Sequence, residues 1–205
     1  MRRSMGWRAV LVGLGCFWAP LAGWADQTAT TAVSSAMEDS ARRLRASTAR
    51  GDRPFAVVDK QAALIAVYRA DGSLAGVSTA LLGQDLGDTT VPGVGARTEI
   101  GRLRPGDRTT PAGRFASEPG HNRSGETVVW LDYDAALAIH RLRPGSSQTD
   151  RQHRLDSPRS SDKRVSAGCV VVPVSFFKTV VQPHLGRGPA LVEVLPERDP
   201  PPIDG

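Results

Sequence analysis

Cysteine is scarce in this chain and never occurs as a close pair. Two cysteines, Cys16 and Cys169, stand among 205 residues. The absence of any Cys-x-x-Cys pair excludes a thiol–disulfide oxidoreductase of the usual kind. The four histidines are also scattered, so no cluster has the spacing of zinc ligands, and we expect neither a metal nor a cofactor.

A dinucleotide fingerprint and internal repeats are also absent. Residues 93–95 (Gly-Val-Gly) are the closest approach to a Gly-x-Gly-x-x-Gly motif, but Thr98 stands where the third glycine is required. No strand-to-helix pattern surrounds these glycines, which excludes a dinucleotide-binding site of this type.

The excess of positive charge lies largely in the first 25 residues. Three arginines precede an apolar stretch over 9–21, and residues 23–25 (Gly-Trp-Ala) precede Asp26. This pattern predicts a signal peptide over 1–25 that is too short to span a membrane. A lipid anchor on Cys16 fits less well, because Leu14 stands one position too late. Cleavage after Ala25 leaves 23 of the 26 basic residues against 21 acidic ones, which argues against nucleic-acid binding.

The remainder is predicted to be a linker over 26–52, one domain over 53–197 and a disordered tail over 198–205. Within the linker, Ser35 and Glu38 have the spacing of a capping box, which predicts a helix to about Ala46. Asp71 and Gly72 lie between two apolar runs and predict a β-hairpin. Strands are expected at 54–59, 63–68, 74–78, 126–132, 135–140 and 190–195, so the fold class is mainly β with a few short helices.

Two polar stretches interrupt this pattern. Residues 83–108 contain Pro-Gly and Gly-Asp turn markers, and residues 141–163 form a long arginine-rich run. Both are predicted as loops, the second as a lid or binding loop. A helix is expected over 174–181, ended by Pro183.

Cys169 stands where a tight turn enters a buried strand. Residues 164–173 read Arg-Val-Ser-Ala-Gly-Cys-Val-Val-Val-Pro, a glycine-containing turn followed by a β-branched run. Signal cleavage would leave Cys169 as the only thiol of a secreted protein. From the residues alone, a buried hydrophobe and a chemically used thiol are both open.

Three segments resemble the L,D-transpeptidase (YkuD-type) catalytic domain. Residues 166–170 (Ser-Ala-Gly-Cys-Val) resemble the family's Ser-His-Gly-Cys-aliphatic signature. Residues 106–115 are similar to the Lys-Thr-Pro-x-Gly-x-Phe segment that precedes it, and residues 138–140 (Ala-Ile-His) to the strand end that supplies the base. The resemblance covers roughly residues 54–195 and implies a β-sandwich or barrel-like domain.

The resemblance implies Cys169 as the nucleophile and His140 as the general base. His140 also ends a predicted strand, on the face of Ala138 and opposite to the face of Leu137 and Ile139. His153, in the polar segment, stays open as the alternative base. The two other histidines, His121 and His184, are assigned to the surface.

The turn of residues 167–169 is expected to bind an oxyanion through the backbone N–H groups of Ala167, Gly168 and Cys169. Ala167 replaces the family's usual histidine. Val171 replaces the usual Asn or Arg, which leaves the carboxylate-binding residue open between Arg164 and an arginine of the inserted loop. Arg164 and Ser166 are predicted as substrate-binding residues.

The implied function is secreted, periplasmic cell-wall acyl transfer. Cys169 would cleave the stem-peptide bond before D-alanine in peptidoglycan and transfer the acyl group to an amine. An L,D-carboxypeptidase or amidase in the same fold stays open. So does a catalytically impaired homologue that binds peptidoglycan, because of Ala167 and Val171.

Overall fold

The computed structural model describes residues 32–197. The predicted signal peptide, the start of the predicted linker and the predicted tail lie outside these residues. Across residues 32–197, no helix is both long and apolar enough to cross a membrane.

Residues 32–197 form ten strands. Their bounds are β1 Phe55–Asp59, β2 Leu64–Tyr68, β3 Leu74–Thr79, β4 Leu82–Gly83, β5 Gly113–His121, β6 Thr127–Asp132, β7 Leu137–Arg141, β8 Arg164–Ser166, β9 Val170–Val172 and β10 Ala190–Val194. Eight of these ten make one mixed sheet in the order β3-β2-β1-β10-β5-β6-β7-β9, and β4 pairs with β8. The predicted mainly β class is confirmed.

The large sheet curls until its two edges almost meet. Edge strand β3 ends at Thr79, and Leu81, two residues later, bridges Val171 in the opposite edge strand β9. Two backbone hydrogen bonds of 2.8 and 2.9 Å join Leu81 and Val171. The domain is therefore nearly barrel-shaped, and β9 has neighbours on both sides.

Strand β1 is buried on both faces because different elements cover them. Ala56 and Val58 pack inside the curled sheet, whereas Phe55 and Val57 pack outside, against helix α1 (Ser35–Ala46). This alternation follows from the two-residue period of a strand. Helix α1 is thus docked on the sheet through buried side chains, and it begins one residue earlier than predicted, with Ser34 as the N-cap.

Both predicted loops contain helices, which corrects the sequence expectation. Helix α2 (Val94–Glu99) lies in the first, and helix α3 (Gln148–Asp156) and a 3-10 turn (Ser160–Lys163) lie in the second. Helix α3 buries one apolar side chain, Leu155, so it has no apolar stripe from which periodicity could predict it.

The predicted helix after β9 is present and is longer than expected. It runs through helical segments Val174–Phe176 and Gln182–Leu185, joined by a π-helical turn at Phe177–Val181. Pro183 does not end it, because this proline stands in the first turn of the last segment, where its missing N–H is tolerated.

Candidate functional site

The register of strands β7 and β9 puts Cys169 and His140 on one face of the sheet. The two strands are parallel, with Ile139 opposite Val170 and His140 opposite Val171. Cys169 immediately precedes β9, so it is the diagonal neighbour of His140, a separation that long side chains can span. Both residues line the same cleft, which has a volume of about 630 Å³.

The two faces of β7 are used as the sequence predicts. Leu137 and Ile139 are buried in the core, whereas Ala138 and His140 line the cleft. His140 is 8% exposed, and its Nδ1 lies 2.8 Å from the carbonyl oxygen of Arg141. Because a carbonyl only accepts, Nδ1 carries the proton and donates it, which leaves Nε2 as the basic nitrogen.

Burial sets the protonation of both groups. Burial lowers the pKa of His140 to about 4, helped by the positive charges of Arg143 and Arg151. Burial raises the pKa of the half-buried Cys169 thiol, while the Ala138 N–H and the same two arginines act in the opposite direction. The Sγ of Cys169 lies 3.4 Å from the carbonyl oxygen of Ala136, to which the S–H donates. At neutral pH the site therefore holds a neutral imidazole and a neutral thiol.

Three arginines line the cleft, and two of them, Arg143 and Arg151, give it a positive side by the Cys169 thiol, whose pKa they lower. Arg143 follows β7, and Arg151 lies on helix α3; both line the cleft. Glu126 holds Arg143 by an ion pair of 3.1 Å. Sequence reasoning left the carboxylate-binding arginine open, and the structure brings these two residues of the 141–163 segment to the cleft. An anionic group is the ligand that such a side would attract.

Arg164 lies elsewhere, which corrects the substrate-binding role predicted for it. Its guanidinium donates to the carbonyl oxygen of Lys60 at 2.7 Å and to Glu197 at 2.8 Å. It is not among the residues that line the cleft. Arg164 therefore ties strand β8 to residues near the end of the described chain, because its guanidinium is already engaged there.

The turn before Cys169 is built by Ser166. The Ser166 hydroxyl donates to the carbonyl oxygen of Cys169 at 2.7 Å and accepts from the Gly168 N–H at 3.1 Å. The Gly168 N–H is thus already in use, which corrects its prediction as an oxyanion donor. Ala167 is exposed at the cleft, and Ser166 also lines it but is 2% exposed. Ser166 therefore shapes the turn rather than presenting a free hydroxyl.

None of the three other histidines is placed as His140 is, buried in the cleft on the strand beside Cys169. His153 is on the exposed side of helix α3 and does not line the cleft. His121 is exposed as predicted, but it stands at the rim of the cleft. His184 lies on segment Gln182–Leu185 and is half-buried. Within residues 32–197 no group of three His, Cys, Asp or Glu side chains could hold a metal ion.

Sequence reasoning missed several walls of the cleft. Thr98 and Glu99 come from helix α2, which was predicted as loop, and Trp130 comes from β6. The close approach of α2 is marked by Gly95, where a Cβ would lie 1.8 Å from the carbonyl oxygen of Asp134. In the sequence, Gly95 is one of several glycines in a Gly/Pro-rich stretch. It could suggest a close backbone approach, but it could not show that Asp134 is the residue approached.

No protein-family model and no curated protein matches the chain. Solved structures do match it. The chain is similar to L,D-transpeptidases. The catalytic domain of the E. faecium L,D-transpeptidase is 19% identical, with 70% of this chain and 98% of that chain covered and a TM-score of 0.35.

Two larger proteins are also similar. The match to residues 123–326 of the Xylanimonas cellulosilytica L,D-transpeptidase (15% identity, TM-score 0.40) covers 70% of this chain and 60% of that chain. The match to the helical cell shape determining protein Pgp2 from Campylobacter jejuni (15% identity, TM-score 0.46) covers 78% of this chain and 56% of that chain. L,D-transpeptidases are also the family that the sequence motifs resemble.

Proposed function

We propose that this chain is a cell-wall acyltransferase of the L,D-transpeptidase type. Cys169 attacks the peptide bond before D-alanine in a peptidoglycan stem peptide, and an amine of a neighbouring stem takes the acyl group. The observation that carries the proposal is the register of β7 and β9, which brings Cys169 and His140 to one cleft.

The protonation states of His140 and Cys169 support a general-base mechanism. Because His140 has a pKa of about 4, its Nε2 is unprotonated at neutral pH and can accept the thiol proton as sulfur attacks. The S–C bond forms, the carbonyl electron pair moves to oxygen, and collapse of this intermediate breaks the C–N bond. The leaving amine of D-alanine takes the proton from His140, and a thioester remains on Cys169.

The charge of the cleft supports an acidic acyl donor. Among the arginines that line the cleft, Arg143 and Arg151 are the two whose positive charge lowers the pKa of the Cys169 thiol. We assign them to the carboxylate of the stem peptide, in the role first predicted for Arg164 or a loop arginine. Lowering the pKa of the thiol is their second contribution.

The acyl acceptor decides between transpeptidase and carboxypeptidase. Attack of an amine on the thioester forms a cross-link, whereas attack of water releases a shortened stem. The cleft volume of about 630 Å³ and its rim of helix α2 and the β5–β6 hairpin are compatible with a second peptide. We therefore favour the amine and keep hydrolysis as the alternative.

A second candidate is a homologue that binds peptidoglycan without turnover. It is favoured by the resting state of Cys169, whose thiol is neutral and donates to the Ala136 carbonyl rather than to His140. Ala167, in place of the family's usual histidine, points the same way.

Incubation with defined muropeptides separates these functions. Disaccharide tetrapeptides are incubated with the wild-type chain and with Cys169→Ala, and products are identified by mass spectrometry. Cross-linked dimers formed by the wild type alone would support transpeptidation, and tripeptides alone would support hydrolysis. Retention on peptidoglycan without any product, from both folded proteins, would favour the binding homologue.

The proposed place of action is the periplasm. The predicted signal peptide over 1–25 would direct secretion there. Comparing the mass of the chain recovered from a periplasmic extract with that of the full chain tests cleavage after Ala25.

A further inference from the structure

Thr110 is completely buried and joins the turn before Cys169 to strand β4. Its Oγ1 lies 2.7 Å from the carbonyl oxygen of Gly168 and accepts the N–H of Gly83 at 2.8 Å. A backbone N–H can only donate, so the hydroxyl uses a lone pair towards Gly83. The hydroxyl proton must therefore point to Gly168, and the direction of this hydrogen bond is fixed.

The bonded carbonyl belongs to the peptide group whose N–H is that of Cys169. No described peptide bond is cis, so the C=O of Gly168 and the N–H of Cys169 point in opposite directions. With the carbonyl held by Thr110, this N–H points away from Thr110. Among residues 32–197 it has no hydrogen-bond partner, whereas the neighbouring Gly168 N–H is taken by Ser166.

Glycines at both ends allow this close approach. A Cβ on Gly168 would lie 2.9 Å from the carbonyl oxygen of Thr109, and the φ of Gly168 is +121°. A Cβ on Gly83 would lie 2.6 Å from the backbone nitrogen of Thr110. Side chains at these positions would force the segment around Thr110 away from the turn.

Lys60 fixes the backbone of Thr110 from the other side. Its buried Nζ donates to the carbonyl oxygen of Thr110 at 3.0 Å and forms an ion pair of 2.5 Å with Asp88. Thr110 is thus held through both its side chain and its main chain. A hydroxyl that accepts one hydrogen bond donates the next more strongly, because such chains polarise one another.

We propose that Thr110 is a positioning residue that orients and polarises the Gly168–Cys169 peptide as an oxyanion donor. A hydrogen bond to the carbonyl makes the N–H of the same peptide more acidic, so the Cys169 N–H binds the developing negative oxygen more strongly. The inference rests on the proposed cysteine acyl transfer. Of the three N–H donors that the sequence predicts in this turn, it drops that of Gly168 and assigns the main role to that of Cys169.

Two reactions of the same thiol separate this role from a merely structural one. Acylation by p-nitrophenyl acetate passes through an oxyanion, whereas alkylation by iodoacetamide does not. Thr110→Val removes the hydroxyl at nearly constant volume, and Thr110→Ser keeps it. Thr110→Val should slow acylation of Cys169 about tenfold, part of the loss expected for a whole oxyanion donor, and leave alkylation unchanged. Thr110→Ser should remain near wild type in both.

Amide NMR gives a readout that needs no activity. The ¹⁵N shift of Cys169 should move upfield in Thr110→Val, which loses the hydrogen bond to the preceding carbonyl, and should be retained in Thr110→Ser. Thr110→Ala gives the same comparison if the valine variant does not fold.

Three results would overturn the inference: equal slowing of acylation and alkylation, no slowing of acylation, or no acylation of the wild-type chain above free cysteine. Stem tetrapeptides are tested in parallel. If Cys169 reacts with the ester and not with stem peptides, the substrate proposal fails while the role of Thr110 stands. If it reacts with both and Thr110→Val slows neither, only the role of Thr110 fails.

Discussion

At the scale of single residues, the chemistry depends on one proton that moves between the half-buried Cys169 thiol and the buried His140 imidazole. Burial raises the pKa of Cys169 and lowers that of His140 to about 4, so the thiolate–imidazolium pair is disfavoured at rest. Proton transfer must then accompany attack on the substrate. The strained backbone of Ala136, with φ +53°, holds the carbonyl that accepts the S–H until a substrate arrives.

The raised pKa of Cys169 predicts a slow and strongly pH-dependent alkylation. At pH 7 iodoacetamide should modify Cys169 more slowly than free cysteine, and the rate should rise about tenfold per pH unit through pH 8, because only the thiolate reacts. Peptide mass spectrometry distinguishes Cys169 from Cys16. A rate that reaches its plateau below pH 8 would contradict the neutral resting pair.

The lowered pKa of His140 predicts a loss of stability in mild acid. Its pKa falls from 6.5 to about 4 on folding, so between these values the unfolded chain binds the proton and the folded one does not. The free energy of unfolding is therefore unaffected by this titration above pH 6.5, and it decreases by about 3 kcal/mol as the pH falls towards 4. Denaturant unfolding at pH 7 and pH 4.5 measures this.

His140→Gln is the control for that measurement, because it carries no titrating group at position 140. The difference in unfolding free energy between pH 7 and pH 4.5 should be smaller in this variant. Equal differences in both proteins would assign the acid sensitivity to other groups, such as His184, whose pKa burial also lowers.

At the scale of elements, helix α3 supplies one of the arginines that line the cleft. Its nine residues bury only Leu155, which packs with Leu81, Leu142 and Val171. Arg151 lines the cleft, whereas Arg154 pairs with Asp150 at 2.9 Å outside it. Arg151 can therefore be tested by substitution, with Arg154 on the same helix as the matched control.

Arg151→Gln should weaken binding of the acyl donor more than it slows the chemical step, to which Arg151 contributes by lowering the pKa of the Cys169 thiol. A charge-assisted hydrogen bond to a carboxylate contributes about 1.5–3 kcal/mol, so we expect KM for the tetrapeptide to rise at least about tenfold. Arg154→Gln, with the same loss of charge on the same helix, should leave KM within about twofold. Equal effects of both substitutions would indicate a general electrostatic effect rather than a contact.

Helix α1 is predicted to act on stability alone. Leu44 is fully buried among Phe55, Tyr68 and Leu191, on strands β1, β2 and β10, whereas the cleft is lined by residues of β6, β7 and β9. Leu44→Ala should lower the free energy of unfolding by about 2–5 kcal/mol and leave the acylation rate of Cys169 unchanged at temperatures where the variant is folded. A large loss of acylation in the folded variant would show that α1 also supports the site.

At the scale of the whole molecule, the sequence predicts most strands of the sheet, and the two residues that it singles out, Cys169 and His140, line one cleft. The Asp71-Gly72 hairpin and the alternation along β7 are local patterns, and both are present in the structure. Strand β5 (Gly113–His121) was missed, because its two glycines, Pro119 and exposed side chains give no apolar alternation.

The remaining features of the site depend on contacts between distant segments. Arg164 and Arg151 look alike in sequence, yet Glu197, 33 residues away, draws Arg164 out of reach of the cleft. The occupation of the Gly168 N–H and the role proposed for Thr110 depend on the geometry of one turn and on a segment 58 residues upstream. Residue types and spacing could not predict these pairings.

The most direct test is intact-protein mass spectrometry after mixing the chain with a tetrapeptide stem. We predict a transient adduct on Cys169 whose mass equals the stem peptide minus D-alanine. The adduct should be absent in Cys169→Ala and should form much more slowly in His140→Gln. No adduct on the folded wild-type chain, or an equal adduct in Cys169→Ala, would contradict the account.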